Sequence, residues 1–311
     1  MRGTQGKHGS RISKRARRGL AAVLAAGAVA AGSLIAVFGT AGPASASTAT
    51  APVGGSKVVC TSEKPGLAPE LSRDIARALH GRKGTPALAF YDRRTKTTCD
   101  FKSGLSFDSA SVVKVTVLGA LLRQAEEAHR KLTPQEARWT TAMITKSDND
   151  ATSALWREIG PTGIKHFLAL AGMRHTVPGA DGAWGLTQIT AGDQLKLMRL
   201  LTEGNAGKHA VLTPAARAYA LDLMKRVVPD QRWGVPAGAP APESVRVKNG
   251  WLPRATNGWR VHSVGAFTGG GRDYGMVVLS HGNRTMDYGV DTVEAAARVI
   301  HRDLNAAVSG G

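Results

Sequence analysis

The chain has 311 residues, of which 42% are hydrophobic, and it carries 41 Lys and Arg against 23 Asp and Glu. This length gives room for one large domain or for two closely joined domains. The basic balance would suit a nucleic-acid-binding protein. Beyond the N-terminal segment, however, no five-residue run of Lys and Arg and no basic stretch interleaved with aromatic residues is present. The sequence therefore favours a basic exported protein without a nucleic-acid partner.

Residues 1–46 are predicted to be a secretory signal. Seven Lys and Arg lie in residues 1–18, an apolar stretch covers Leu20 to Phe38, and Ala44-Ser45-Ala46 is a small-x-small cleavage pattern. A transmembrane anchor is the alternative, because the apolar run is about long enough to cross a bilayer. We expect cleavage near Ala46, secretion to the extracellular space without a membrane anchor, and a mature chain of net charge +11. Sec and twin-arginine export both stay open, and the absence of a Cys at the cleavage pattern disfavours a lipoprotein.

Cys60 and Cys99 are the two cysteines of the chain. Export would place them in an oxidising compartment, where such a pair tends to bridge. A bridge that closes this loop would stabilise the fold by roughly 4 kcal/mol, and two separate buried thiols are the alternative. Neither Cys has another Cys or a His at metal-ligand spacing, so we predict no metal site. Nothing in the sequence requires an organic cofactor.

The first part of the mature chain predicts a linker, a helix and two strands. Residues 47–58 are small and polar, which indicates an exposed linker. Leu67 to Leu79 has apolar residues at helical spacing and ends before Gly81, as expected for an amphipathic helix. Pro86 to Tyr91 and Thr97 to Phe101 flank a polar stretch, which predicts strand, turn and strand.

The middle of the chain, about 111–226, predicts an almost wholly helical subdomain. One helix should run from Ser111 to about His129. Thr133-Pro134-Gln135-Glu136 forms a capping box with Pro at the first helical position, and it should open a helix towards Thr145. Helices are also predicted over 151–159, 163–171, 190–203 and 212–226, with a Gly-rich loop at 178–185.

The last part of the chain returns to strands. Strands are predicted over 244–247, 259–267 and 274–280, the last two joined by a turn at 268–273, and a final helix over 291–304. The fold class is therefore α/β (an α+β sandwich). We expect an antiparallel sheet built from both termini (86–101 and 244–280), with flanking helices and an inserted all-helical domain. The catalytic domain is predicted over 59–305.

Three short motifs lie at the junctions of these blocks. The first, Ser111-Val112-Val113-Lys114, opens a helix, so that Ser111 and Lys114 share one face. A serine hydroxyl is a weak nucleophile and needs a nearby base. A lysine can serve when burial and neighbouring positive charge lower its pKa towards neutrality.

The other two motifs have structural alternatives when each is taken alone. Ser147-Asp148-Asn149 can carry a hydroxyl and an amide into a cleft, although all three residues are also common helix caps. Lys248-Asn249-Gly250-Trp251 can place a fixed positive charge beside the nucleophile, with Gly250 allowing a close backbone approach. Alone, this motif would be taken for the end of a surface strand.

In this order, the three motifs resemble the signatures of the penicillin-recognising serine enzymes, and most closely those of class A β-lactamases. The resemblance covers most of residues 60–305, including Met143 to Ala151 and Thr190 to Asp193. It implies that Ser111 is acylated, that Lys114 accepts its proton, and that Ser147 relays a proton to the leaving nitrogen. It also implies an oxyanion hole from the backbone N–H groups of Ser111 and Trp251. The residues that would bind the substrate are Asn149, Lys248, Asn249, Gly250 and Trp251.

Three departures from that family bear on function. The stretch matching its omega loop, about 172–189, has no Glu to activate water, and Asp181 is its single carboxylate. Only 36 positions separate Ser111 from Ser147, fewer than is typical, which predicts a more open cleft. Asn249 replaces the usual Thr or Ser, and its amide can still donate to a substrate carboxylate.

The leading hypothesis is therefore a secreted, monomeric serine hydrolase that acylates well and deacylates slowly on β-lactams or related small amides and esters. A D-alanyl-D-alanine carboxypeptidase or transpeptidase acting on peptidoglycan peptides is one alternative. A non-catalytic protein that binds β-lactams or cell-wall fragments is another. Of the remaining residues, Trp184 is expected in the core, and Arg254 and Arg260 in solvent.

Overall fold

The computed structural model describes residues 45–203, 210–240, 245–269 and 271–309; the predicted signal segment lies outside them except for its last two residues. One antiparallel seven-stranded sheet has the order β1-β2-β4-β3-β9-β8-β7, and β5 pairs with β6 separately. The strands are β1 Ser47–Val53, β2 Ser56–Ser62, β3 Thr85–Asp92, β4 Thr97–Phe101, β5 Phe107–Asp108, β6 Gln188–Ile189, β7 Val245–Leu252, β8 Trp259–Gly269 and β9 Arg272–Asn283. The helices are α1 Leu67–Leu79, α2 Val113–Glu127, α3 Pro134–Thr145, α4 Asn149–Leu170, α5 Ala191–Glu203, α6 Pro214–Lys225 and α7 Met286–Ser309.

The predicted architecture is confirmed, because strands from both ends of the chain meet in the middle of the sheet. β3 pairs with β9 in a register that places Leu88 opposite Val278, and both side chains are fully buried. Helices cover both faces of the sheet. Successive residues of a strand point to opposite faces, so neighbouring residues of β3 contact different helices. Tyr91 hydrogen-bonds Thr202 of α5, whereas the ring of the preceding Phe90 lies on the side of α7.

The prediction of an exposed linker over 47–58 is wrong. These residues form β1 and the start of β2, an antiparallel hairpin whose register pairs Ser47 with Ser62 and Val53 with Ser56. The segment contains two Thr and two Val, whose branched side chains favour strands. Val53 and Val58 join the hydrophobic core, so the hairpin belongs to the folded domain.

The predicted disulfide is present between Cys60 on β2 and Cys99 on β4, which face each other in the strand register. It ties the N-terminal hairpin to the interior of the sheet. Because both cysteines of the chain are used, neither is available for a metal or a lipid.

The helical block is built around α2, which is buried on nearly all sides and so lacks the polar face of a surface helix. A side chain at Gly119 would overlap the ring of Phe167, so glycine is what lets α2 and α4 approach closely. The helices predicted over 151–159 and 163–171 are the two arms of α4, which kinks at Gly160 before Pro161. The capping box at Thr133 is present as predicted.

The C-terminal elements are longer than the sequence pattern indicated. β8 and β9 extend until Gly269 pairs with Arg272, and α7 begins at Met286 instead of Asp291. β7 is the last strand at one edge of the sheet and continues to Leu252, so the whole third motif lies on this edge strand. Within the described residues, no helix combines the length and apolarity needed to span a membrane.

Candidate active site

Ser111 lies in a single 3₁₀ turn, Ala110–Val112, that leads directly into α2. Ser109 anchors this turn: it is fully buried, and its backbone N–H donates to the carbonyl oxygen of Thr187 at 2.8 Å. Ala110 has a φ of 46°, a left-handed conformation that strains a residue with a side chain. Ser111 itself is only half-buried, so a substrate can reach it.

The edge strand β7 touches this turn through Gly250. A Cβ atom at Gly250 would lie 2.8 Å from the backbone nitrogens of both Ser111 and Val112, so a larger residue would push the turn away. Trp251 is the next residue on β7. The structure thus brings the first and third motifs together, with the backbone of Ser111 beside the strand that carries Trp251.

Lys114 points from the first turn of α2 towards the second motif. Its Nζ donates to the carbonyl oxygen of Ser147 at 2.6 Å, to Ser147 Oγ at 3.1 Å and to Asn149 Oδ1 at 2.8 Å. Within the described chain, no hydrogen bond joins Lys114 to Ser111. Catalytic hydrogen bonds are often long before substrate binds, so this geometry does not remove Lys114 as a base.

Lys248 approaches the same hydroxyl from the other side. Its Nζ lies 3.0 Å from Ser147 Oγ and 3.0 Å from the carbonyl oxygen of Asn249. Ser147 is held in a left-handed conformation, with a φ of 59°, that turns its hydroxyl between the two lysines. Because Ser147 Oγ accepts from both amines, its own hydrogen is free to be donated to a substrate.

Burial makes both lysines unusually acidic. Lys114 is fully buried, and desolvation lowers its pKa to about 7 although the negative charge of Asp148 acts in the opposite direction. Burial also lowers the pKa of Lys248 well below its ordinary value, and the charge of Lys114 adds to the effect. A lysine with a pKa near neutrality can give up and take back a proton under physiological conditions.

The second motif serves as a helix cap and as part of the site at once. The Asp148 side chain accepts from the backbone N–H of Ala151 at 2.7 Å and so caps α4. Its neighbours Ser147 and Asn149 bind Lys114. Asn149 is exposed, which leaves its amide nitrogen accessible to a substrate.

The structure does not aim the Asn249 side chain at a substrate. Its amide nitrogen donates to the carbonyl oxygens of Gln231 at 2.9 Å and Trp233 at 2.8 Å, and the residue is fully buried. Both amide hydrogens are therefore used to hold the segment that precedes β7. That segment brings Trp233 edge-on to Trp251, with ring centres 5.9 Å apart, so the two indoles form a half-buried aromatic pair.

The loop over 172–189 does not bring Asp181 to the lysines. Asp181 is exposed, has a φ of 50° and makes no hydrogen bond with any described residue. Trp184 is the loop residue that reaches the site: Lys114 Nζ lies 4.8 Å from the centre of its ring. The expectation that Trp184 belongs to the core missed this contact. The one available signal was a single large aromatic residue in an otherwise Gly-rich loop.

A buried polar cluster lies beside the 3₁₀ turn Ala110–Val112, which we call the nucleophile turn because it carries Ser111. Arg260 pairs with Asp108 at 2.8 Å, and the Nε2 atom of the fully buried His262 lies 2.8 Å from the Asp108 carbonyl oxygen. The expectation that Arg260 is solvated is wrong, because its side chain is 6% exposed. Arg254 retains 38% exposure, 3.8 Å from Asp108. A polar residue at an inward-facing position of a predicted strand was the signal for His262.

One acidic cluster lies apart from the three motifs. Glu70, Asp74 and Asp303 bring carboxylate oxygens within 4.8 Å of one another, between α1 and α7. Three arginines compensate this charge: Arg73 and Arg77 bind Asp74, and Arg302 binds Asp74 and Asp303.

The fold and the three converging motifs define a class A β-lactamase-like protein. The sequence profile of the beta-lactamase enzyme family matches residues 70–140 and 137–304. The chain belongs to this family.

Two sets of relatives show how far the similarity extends. Proteins described as "Putative lipoprotein LppW" in Mycobacterium bovis and Mycobacterium tuberculosis are 29% identical over 204 residues. This alignment covers 63% of the chain and 63% of each relative.

Among solved structures, a beta-lactamase of Xanthomonas campestris has a TM-score of 0.62 at 17% identity and covers 76% of this chain and 98% of its own. A class A beta-lactamase of Bacteroides cellulosilyticus has a TM-score of 0.63 at 14% identity with the same coverage. PBP-A has a TM-score of 0.63 at 16% identity and covers 77% of this chain and 97% of its own. At these identities, the solved structures establish the fold.

Proposed function

We propose that the protein is a secreted serine hydrolase that forms an acyl-enzyme on Ser111 with β-lactams or related amides and esters, and that releases the acyl group slowly. One observation carries the proposal. Two buried lysines, Lys114 and Lys248, flank the hydroxyl of Ser147 beside a half-exposed serine. Burying two amines is costly, so an arrangement without a charge-transfer role would be hard to explain.

Acylation follows from this geometry. Lys114 in its neutral form accepts the proton of Ser111, whose Oγ then forms a bond to the carbonyl carbon of the substrate. The negative charge that develops on the carbonyl oxygen is met by the backbone N–H of Ser111, just before α2, and by that of Trp251 on β7. Lys248 in its protonated form attracts a substrate carboxylate, which leaves the hydrogen of Ser147 for the leaving group.

The same proton then completes the step. When the carbon–nitrogen bond breaks, the leaving nitrogen needs a proton, and Ser147 can deliver the one held by Lys114 because its Oγ lies 3.1 Å from Lys114 Nζ. The product is an ester on Ser111. Hydrolysis of that ester needs a base that positions water, and the single carboxylate of the loop, Asp181, is exposed and unconnected to the lysines.

A second candidate is a carboxypeptidase or transpeptidase acting on cell-wall peptides. Only 36 positions separate Ser111 from Ser147, and the more open cleft that this short segment predicts would accept a longer substrate than a β-lactam. A third candidate, binding without chemistry, gains no support from the lowered pKa of Lys114, which pure binding does not need.

The decisive experiment measures covalent attachment and turnover together. The mature protein is mixed with a penicillin and with a chromogenic cephalosporin, and intact mass and colour release are followed in parallel. We expect a mass increase that persists for many minutes and is absent in Ser111→Ala. Ser106→Ala, which changes an exposed serine on the same segment, should leave the adduct unchanged.

Other outcomes select between the candidates. Turnover at or above ~100 per second without an adduct would reject slow release and define an efficient β-lactamase. Reversible binding with no adduct would reject the acyl-enzyme and favour the binding protein. Release of the terminal residue from a D-alanyl-D-alanine peptide, at a higher rate than β-lactam turnover, would favour the cell-wall enzyme.

A further inference from the structure

Trp184 is held over the proposed base from three directions. Its ring centre is 4.8 Å from Lys114 Nζ, and its indole N–H donates to Ser153 Oγ on α4 at 3.1 Å. Its carbonyl oxygen lies 3.3 Å from the hydroxyl of Ser109, two residues before the nucleophile. The indole is therefore held to α4, and the backbone of the same residue is held to the segment that leads into Ser111.

The loop is shaped to present this ring. A side chain at Gly179 would overlap the carbonyl oxygen of Ala183, so the chain can turn tightly there only with glycine. At the start of the loop, Asp193 accepts from the backbone N–H of His175 at 2.8 Å and from Thr176 Oγ1 at 3.0 Å. At its end, Thr187 accepts from the backbone of Ser109. Both ends of the loop are thus pinned, and the indole between them has little freedom to move.

The face of the indole covers one side of the Lys114 amine. Lys114 Nζ already makes three hydrogen bonds, all to Ser147 and Asn149, and the ring face closes a further side. The charged groups that face this amine from the packed elements are Asp148 from the loop before α4 and Lys248 from β7. Among the neighbours of Lys114, the loop over 172–189 contributes an apolar ring and no charge.

We infer that Trp184 is a positioning residue that keeps water away from the Lys114 side of acylated Ser111, and that this shield sets the lifetime of the acyl-enzyme. The inference rests on the proposed acyl-enzyme. Hydrolysis requires a water oxygen to bond to the ester carbon while the ester bond breaks and one water proton returns to Ser111 Oγ. A dry surface over the amine that would guide this water slows the step, whereas the maximal rate of acylation, which needs only groups already in place, is spared.

The shield also affects the free protein. Burial is the cause that lowers the pKa of Lys114, and the indole is one of the groups that lie against this amine. The ring face attracts a cation, which acts in the opposite direction, but desolvation is the larger effect at a buried amine. Removing the ring should therefore raise the pKa of Lys114 by about one unit.

The experiment compares Trp184→Ala with Trp184→Phe, which keeps an aromatic ring. Each variant is acylated with a penicillin, excess reagent is removed, and loss of the mass adduct is timed. Trp184→Ala should lose its adduct at least tenfold faster than the wild type, and its acylation rate should reach half of its maximum at a pH about one unit higher. Trp184→Phe should stay close to the wild type. Trp139→Ala, a half-buried tryptophan on α3, controls for general loosening.

A measurement on the free protein separates this inference from the proposed function. The Lys114 amine is titrated by NMR in protein labelled at the lysine side chains, with and without the Trp184→Ala change. If no β-lactam leaves an adduct on the wild type, the acyl-enzyme proposal and the lifetime role of Trp184 both fail. Equal adduct lifetimes in the wild type and Trp184→Ala, together with an unchanged Lys114 titration, would overturn the shield while leaving the acyl-enzyme intact.

Discussion

The two walls of the cleft differ in how completely they are equipped for chemistry. On the wall made by α2, the Ser147 loop and β7, the amines of Lys114 and Lys248 converge on the hydroxyl of Ser147. On the wall made by residues 172–189, the one carboxylate points into solvent and an indole occupies the place beside the amine. Forming and hydrolysing an acyl-enzyme are separate steps. Under the proposed function, separate segments would serve these steps, and the segment for hydrolysis would lack a base.

The largest expected effect is on the rate of acylation, through a change at Lys114. Lys114→Arg keeps a positive charge on α2 but cannot deprotonate, so it removes the base and keeps the electrostatic attraction. We expect acylation to slow by about a thousandfold, near the middle of the range for removing a general base. The rate of adduct formation, measured by mass, tests this, with Lys165→Arg on the exposed side of α4 as the control. Retention of a tenth of the wild-type rate would show that another group is the base.

How much of this contrast the sequence predicts depends on the kind of contact involved. The placement of Ser111 and Lys114 together at the start of one helix follows from their spacing alone, and the absence of Glu from residues 172–189 can be read directly from the sequence. The strands of the central sheet were predicted because buried strands leave long apolar runs, as in β3 and β9. Such features depend on local periodicity, which a sequence displays directly.

The features that were missed depend on contacts between distant segments. Asn249 was expected to face the substrate, yet its amide binds Gln231 and Trp233, whose loop has no periodic pattern. The contact between Trp184 and Lys114 likewise spans 70 positions of the chain, and nothing in a loop sequence states which residue its side chains will reach. The hairpin at 47–58 was missed because small polar residues are compatible with both linker and strand.

A pH titration of stability tests the role of His262, which supports the segment that leads into Ser111. The backbone N–H of Ser280 donates to His262 Nδ1 at 3.1 Å, so this imidazole is neutral and its Nε2–H donates to Asp108. Burial, with the charges of His281 and Arg260, lowers the pKa of His262 to about 4, against 6.5 ordinarily. The unfolded chain therefore binds this proton more readily than the folded one. The stabilisation is complete above pH 6.5 and is lost as the pH falls towards 4, by about 3 kcal/mol.

The measurement is the free energy of unfolding by urea between pH 4 and 7. The wild type should lose stability steeply, and His262→Gln should show a slope smaller by about one proton. His301→Gln is the matched control, because the pKa of His301 is also lowered to about 4 by burial but its side chain contacts Tyr274 and Val235, away from the nucleophile turn. Only His262→Gln should also slow acylation. Identical pH slopes in the wild type and His262→Gln would mean that His262 does not stay neutral in the fold.

The smallest expected effect concerns Ser109, which ties the loop over 172–189 to the start of α2. Its hydroxyl lies 3.3 Å from the carbonyl oxygens of both Trp184 and Gly185 and 3.2 Å from that of Ala110, and it has a single hydrogen to share among them. Ser109→Ala removes this tie but keeps the backbone bond to Thr187, so the nucleophile turn should hold its place. Losing one hydrogen bond of this kind costs about 1 kcal/mol, which corresponds to about a fivefold change in an equilibrium constant. The loop should therefore open more often, with the indole moving away from Lys114 in proportion.

Two readouts on Ser109→Ala separate the walls. Amide hydrogen exchange over 180–187 should speed up by a few fold, and the adduct should be lost faster by a similar factor, while the acylation rate stays within twofold of the wild type. Such a result would show that the loop affects the loss of the acyl group and not its formation. Slower acylation with unchanged exchange would instead place the role of Ser109 in the nucleophile turn. The loop over 172–189 would then affect acylation only through its contacts with the backbone that leads into Ser111, and the two walls would act together.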